Sequence, residues 1–221
     1  QADRCDIYKD IDGIYKVDPS IYKNSKKIDK LSYDEIIEMS SNGMIALHKR
    51  AAIIAKKYQI QTKILSTFDN DSNHTMIDNK SIEGFSVSSI NHSTDNLRLK
   101  IYNTKSQKDG IKIIKEISQI VKEFEYIETN EFDNNFIMEC FCLKKYNEKI
   151  TKTMKKLQTR GVIGNFDIDS KIAKIAIIGI GIKNHQEHVL NAMDIGSFIR
   201  VYKLHTTPNS IDLFIDEKNI K

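Results

Sequence analysis

The first apolar run of the chain, Ile7-Tyr8, breaks into Lys9-Asp10-Ile11-Asp12-Gly13, and a second, Ile14-Tyr15, breaks into Asp18-Pro19. Asp-Gly and Asp-Pro are turn signals, so Asp6 to Pro19 reads as a buried strand ending in a polar, carboxylate-rich loop. A lysine-rich polar connector follows over 20–30. Ser32-Tyr33-Asp34-Glu35 then starts a helix: Ser32 caps it, Asp34 and Glu35 suit its positive end, and Glu35 completes a capping box. Ile36, Ile37 and Met39 supply the core face, and Asn42-Gly43 ends the helix. Leu47, Ala51, Ile54 and Ala55 recur at helical spacing and predict a second helix from about Ala46 to Tyr58. Gln61 to Ser66 reads as a short strand, with a loop over 68–74.

Polar Asp78 to Ser81 marks a domain boundary, and beyond it the pattern becomes βαββαβ. Strands are predicted at Phe85–Ile90 and Asn96–Tyr102, with a strongly periodic helix over Ile111–Phe124. A hairpin at Tyr126–Glu131 and Phe136–Leu143 and a helix at Glu148–Gln158, stopped by Gly161, complete the unit. The order then restarts: strand Ala173–Ile182, helix His185–Met193, strands Phe198–Thr206 and Ile211–Ile215, with Thr207-Pro208-Asn209 as the last turn. This is an internal repeat of a ferredoxin-like supersecondary unit. The second copy ends where its second helix is due, so its sheet is expected to be completed by another segment or chain. The chain opens with Gln1 rather than Met, which suggests a fragment, a processed chain or a split gene product.

Composition narrows the partners. With 221 residues, 40% hydrophobic and 29% charged, the chain can bury a real core in one large or two small domains. Its 34 basic and 30 acidic residues are interspersed, which describes a solvated surface and argues against nucleic-acid binding. Cys5, Cys140 and Cys142 form no framework spacing and point to reduced thiols in a cytoplasmic protein, with Cys140 and Cys142 as core residues on one face of a strand. The longest apolar run, Ile175 to Ile182, is too short to span a bilayer.

Ligands in open α/β sheets bind beyond the carboxyl ends of strands. Asp10, Asp12 and Asp18 with Tyr15 in such a loop suit a nucleotide: an aromatic face for the base, carboxylates for the sugar or a metal–phosphate group. A solvated acidic turn after a core strand reads equally from the same residues. The six histidines are scattered; His185 and His188 share a helix face without a third ligand, which favours a surface pair over a metal site. Gly179 and Gly181 read as a tight strand-to-helix turn.

The stretch ADRCDIYKDIDGIYKVDP resembles the nucleotide-binding loop of the aspartokinase family, and the resemblance continues through LSYDEIIEMSSNGMIALHKRAAIIAKKY and ILSTFDNDSNHTMI. It implies the end of an amino-acid-kinase αβα sandwich over 1–80, followed by two ferredoxin-like ACT-type units, 81–168 and an incomplete 169–221. The activity implied is phosphorylation of L-aspartate with MgATP, the entry step to lysine, threonine, methionine and diaminopimelate. Lys9, Asp10, Tyr15 and Asp18 fall at the family's ATP contacts, with Lys9 where the family carries Thr. Two family cations are absent: Ser20 replaces an arginine and Ile45 a lysine, leaving Lys16, Lys49 or Arg50 as candidate substitutes. Cations of this kind neutralise transferring phosphoryl charge. The family's lysine-bearing strand and glycine-rich aspartate site have no equivalent in this sequence, so no catalytic residue is assigned and the chain alone is expected to be inactive.

The resemblance also implies effector control by lysine or threonine. Of the family's Gln-Asn effector pair in the first unit only Asn130 remains, with Thr129 beside it, and Thr104 to Lys108 lacks the family's Pro-Gly turn. In the second unit Gly181 and His185 keep the strand–loop, and Thr206 and Thr207 offer hydroxyls. Homodimerisation through the ACT-type units and an N-terminal kinase half as partner are further expectations. The alternatives are a catalytically empty ACT module that binds an amino acid or dimerises, and a decayed gene product.

Overall fold

The computed structural model describes residues 2–68, 74–79, 87–104, 107–132 and 135–220. In chain order the strands and helices begin with β1 (Arg4–Lys9), β2 (Ile14–Tyr15), β3 (Lys27–Ile28), β4 (Lys30–Ser32), α1 (Tyr33–Ser41), α2 (Lys49–Tyr58), β5 (Gln61–Ser66) and β6 (Thr75–Asp78). They continue with β7 (Ser89–Thr104), α3 (Gln107–Ile120), β8 (Tyr126–Phe132), β9 (Asn135–Leu143), α4 (Asn147–Thr159), β10 (Asn165–Ile178), α5 (Gln186–Gly196), β11 (Val201–Thr206) and β12 (Ser210–Asp216).

The chain divides into two compact units: residues 1–93, 174–215 and 219–221 form the first, and 94–173 with 216–218 the second. The first holds a sheet of order β1-β5-β6-β4. β1 and β5 run parallel, Arg4 opposite Gln61 through Lys9 opposite Ser66, so β1 is an edge strand ending level with β5. α1 carries the predicted capping box: Ser32 accepts from the Glu35 amide, and the Glu35 carboxylate accepts from the Ser32 amide at 2.8 Å. Ile36 and Met39 on this helix are fully buried against Leu31, Ile64 and Ile77 of the sheet. Burying such side chains contributes roughly 1.5–3 kcal/mol each. Ala176 and Ile178 of β10 join the same core, and β10, β12 and β11 lie side by side.

In the second unit β10, β7, β9 and β8 pair in that order, with α3 and α4 supplying the apolar faces. Element order here is βαββαβ. Leu97, Leu99 and Ile101 of β7 alternate into a core with Ile113 and Ile117 of α3 and Met154 of α4. Cys140 and Cys142 are fully buried in β9, and burial pushes both thiols up, Cys142 to about 12. No described helix is long and apolar enough to cross a membrane.

Several boundaries moved from their sequence expectation. α2 starts at Lys49, not near Ala46, because His48 takes the N-cap position and its Nδ1 accepts from the Arg50 amide at 3.2 Å. α3 ends at Ile120, four residues early, where the Glu125 amide is already donating to Phe141 and feeding β8 into the sheet. One continuous strand, β7, replaces the predicted Asn96–Tyr102, while 80–86, at the start of the expected Phe85–Ile90 strand and the 78–81 boundary, lie outside the described residues. β2, β3, β4 and β6 span only two to four residues, too short to show alternation in the sequence.

Candidate functional site

Beyond the carboxyl end of β1 lies a cavity of about 550 Å³, walled within the first unit by Asp10 to Tyr15, Val17 to Pro19, Gly43 to Ala46, Ser66 and Ile90 to His92. Its floor is set by the Asp12-Gly13 turn. Gly13 has φ +149°, and a side chain there would meet Thr75 Oγ1 at 2.9 Å and the Lys27 stem at 2.8 Å. Thr75 locks this turn: its hydroxyl donates to Ile28 O at 2.6 Å and accepts from the Ile14 amide at 2.8 Å. The β2–β3 hairpin therefore has one seating under the cavity.

The carboxylates in the wall differ in what they are doing. Asp12 accepts from Lys27 Nζ at 2.6 Å and from the Tyr15 hydroxyl at 2.9 Å. The Lys27 bond chiefly holds its carboxyl below the usual range, while burial and then Asp12 raise the Tyr15 phenol. Asp18 accepts from the Ser20 amide at 2.8 Å, and hydrogen bonds from Ser20 likewise lower its pKa. Its carbonyl takes the amides of Ile21 and Tyr22 at 3.0 Å each, so this residue folds the loop. Asp10 is exposed at the cavity wall and makes no side-chain hydrogen bond or ion pair among the described residues.

The opposite wall is clamped from two directions. Gly43 has φ +96°, and a Cβ there would lie 2.5 Å from His92 O. Asn91 Nδ2 donates to Met39 O at 3.0 Å, and the Ile90 amide donates to Lys16 O at 2.7 Å, so the first residues of β7 are stitched to both α1 and β2. Lys9 Nζ donates to Ile45 O and Ala46 O, both at 3.1 Å. Ile45 itself is 87% exposed.

Asp10, Tyr15 and Asp18, singled out from the sequence, thus line one cavity, and Lys9 touches the backbone of its far wall. Sequence reasoning missed Ile90, read as the end of a strand, and Asn91 and His92, which fall between two predicted strands; the polar pair Asn91-His92 just after a strand end was the available signal. The expected effector residues are divided between the two units. Asn130 lies on β8 in the second unit; Gly181, His185, Thr206 and Thr207 are in the first. There the amides of Gly179 and Gly181 donate to Asn209 O (3.0 Å) and Asn209 Oδ1 (3.3 Å). Thr207 Oγ1 accepts from the Ser210 amide at 2.9 Å. The His185 and His188 rings lie 5.9 Å apart, and no described group of three or more His, Cys, Asp or Glu is arranged for a metal ion.

Residues 1–66 match the amino acid kinase family. The geometry is that of an α/β unit with a cavity of mixed polar and apolar lining beyond the ends of its parallel strands β1 and β5. Aspartokinase homologues cover the whole chain: Rickettsia conorii aspartokinase is 31% identical over 223 residues, spanning 99% of this chain and 55% of that protein. The chain spans about half the length of the curated relatives it matches. Its fold is that of E. coli aspartokinase III solved in complex with aspartate and ADP, with TM-score 0.82 at 16% identity over 99% of this chain and 50% of that one. A regulatory subunit of aspartate kinase from Thermus thermophilus superposes with TM-score 0.52 at 13% identity, over 61% of this chain and 92% of its own length. The fold class is accordingly the mixed α/β fold of these aspartokinase chains, over about half of their length.

Proposed function

We propose that this chain is the C-terminal, regulatory portion of an aspartate kinase, an ATP-dependent enzyme that phosphorylates the side-chain carboxylate of L-aspartate in the cytoplasm. Residues 1–80 contribute most of the nucleotide wall of the kinase, with Ile90 to His92 completing it, and 81–168 and 169–221 are the ACT-type units. The observation that carries the reading is the cavity beyond β1, in which Asp10 remains unengaged beside Tyr15 and Asp18. Lys9, Asp10, Tyr15 and Asp18 hold ATP in this reading. Mg²⁺ takes oxygen ligands and neutralises phosphate charge; Asp10 is the oxygen donor in the wall with no other partner.

Phosphoryl transfer depends on cations placed around the transferred group. Position 20 is Ser and position 45 is Ile in this chain, so it does not turn over aspartate unaided. The test is co-expression with the N-terminal half of a related aspartokinase, followed by an assay for aspartyl phosphate. Activity that needs both halves supports the proposal; activity from the chain alone, or none from the pair despite assembly, opposes it.

A second reading is favoured by the Thermus regulatory subunit, a separate chain almost wholly covered by this fold. On it, the chain is an ACT-type module that binds an amino acid or pairs with a second copy of itself. Lysine or threonine would bind through Gly181, His185, Thr206 and Thr207, or near Asn130, and would raise the melting temperature without nucleotide.

A further inference from the structure

We propose that Lys9 is the phosphate-facing cation of the cavity, with its ammonium held over the far wall by the Ile45 and Ala46 carbonyls. The inference rests on the nucleotide reading and assigns the chemistry within it. The wall carries Asp10, Asp12 and Asp18, an acidic surface that repels a polyphosphate. One of those charges is offset internally, because Lys27 is bound to Asp12 at 2.6 Å. Lys9 differs from Lys27 in the kind of partner it has. Both of its hydrogen bonds, 3.1 Å to Ile45 O and 3.1 Å to Ala46 O, go to neutral carbonyls, and it forms no ion pair among the described residues. No described carboxylate pairs with it, and an ammonium has three donors. Two are spent fixing its position and one remains for an anion.

The placement follows from the fold. β1 ends at Lys9 in register with Ser66, a cavity residue, and the next residue is Asp10. Ile45 and Ala46 are cavity residues as well, so Lys9, itself outside the lining, is bonded to the backbone of a stretch of wall whose own side chains, Met44, Ile45 and Ala46, are apolar. Lys49 and Arg50 instead open α2, and Arg50 uses its amide on the His48 cap. Ile45 needs no charge of its own if Lys9 supplies it through the same backbone.

Calorimetric titration of the full chain with ATP and with AMP, each with Mg²⁺, tests this. AMP lacks the outer phosphates, so the ratio of the two affinities reads the cation. Lys9→Gln keeps two N–H donors for the carbonyls and removes the charge. The expected result is an ATP-over-AMP ratio reduced on the order of tenfold in Lys9→Gln, with AMP affinity retained. Lys9→Gln combined with Ile45→Lys should restore it. An unchanged ratio in Lys9→Gln overturns the role of Lys9 alone; absence of binding of either nucleotide to the wild-type chain overturns the nucleotide reading and this role with it. Should Lys9→Gln not fold, Ile45→Lys on the wild-type background is expected to raise the ratio, and no rise counts against the proposal.

Discussion

Two loops in the first unit follow strand ends, and both carry the glycines and polar residues that suggest a ligand. They differ in who satisfies those polar groups. After β10, the amides of Gly179 and Gly181 are taken by Asn209, and Thr207 is spent on its own turn. After β1, Asp10 and the third donor of Lys9 have no partner among the described residues. A turn that closes on its own side chain has no net hydrogen-bond energy to offer a ligand, since binding would only exchange one partner for another. A carboxylate and an ammonium without an ion-pair partner among the described residues have that energy in reserve.

The comparison is broken most severely through the cavity wall. Gly43→Ala places a Cβ against His92 O at a backbone angle that suits glycine, and is expected to cost about 3 kcal/mol in stability. Urea unfolding reads this, and an unshifted midpoint would mean that the wall is not clamped. Asp10→Asn comes next. It is expected to weaken MgATP binding roughly tenfold with little change in melting temperature, because nothing in the fold leans on Asp10. Asp12→Asn should do the reverse, leaving nucleotide affinity within about threefold while costing up to about 1 kcal/mol of stability through its half-exposed pair with Lys27. Equal effects on both measurements would erase the distinction between them.

Asn209→Ala acts on the closed loop. It frees the Gly181 amide, at a local cost of about 1 kcal/mol. If the loop is a masked carboxylate site, lysine or threonine affinity measured by calorimetry should rise by a few-fold; no rise would show that the amides are structural only. The smallest effect is on pH dependence. Asp12 and Asp18 both have folded pKa values below their ordinary ones, so the unfolded chain binds more protons in acid. Their contribution is complete above the ordinary carboxylate range, about pH 4–5, and is lost as pH falls through the folded values. Unfolding titrations at stepwise lower pH should show a shallower acid loss in Asp18→Asn than in the wild type.

Much of this was legible in the sequence because the signals were local. Ser32 to Glu35 fixes the start of α1 by its own hydrogen bonds, and Asp12-Gly13 fixes the turn under the cavity through a backbone angle. The periodic isoleucines of α3 and the alternation in β7 placed the second core. What was not legible depends on partners distant in sequence. Ile90 to His92 enter the cavity because Lys16 and Met39 hold them there, and neither bond has a local pattern. Likewise, the turn at Gly179 and Gly181 was legible but its partner was not, because Asn209, which closes the loop, lies on the next hairpin. The role of Lys9 depends on carbonyls more than thirty residues downstream, and carbonyls have no sequence signature.

Amide hydrogen exchange on the full chain, with and without saturating MgATP, measures the central claim most directly, since it locates a ligand without requiring turnover. The account predicts added protection over 9–20, 43–46 and 90–92, with 179–185 and 206–210 unchanged. Protection confined to the Gly181 loop, or none anywhere at saturating nucleotide, would contradict it.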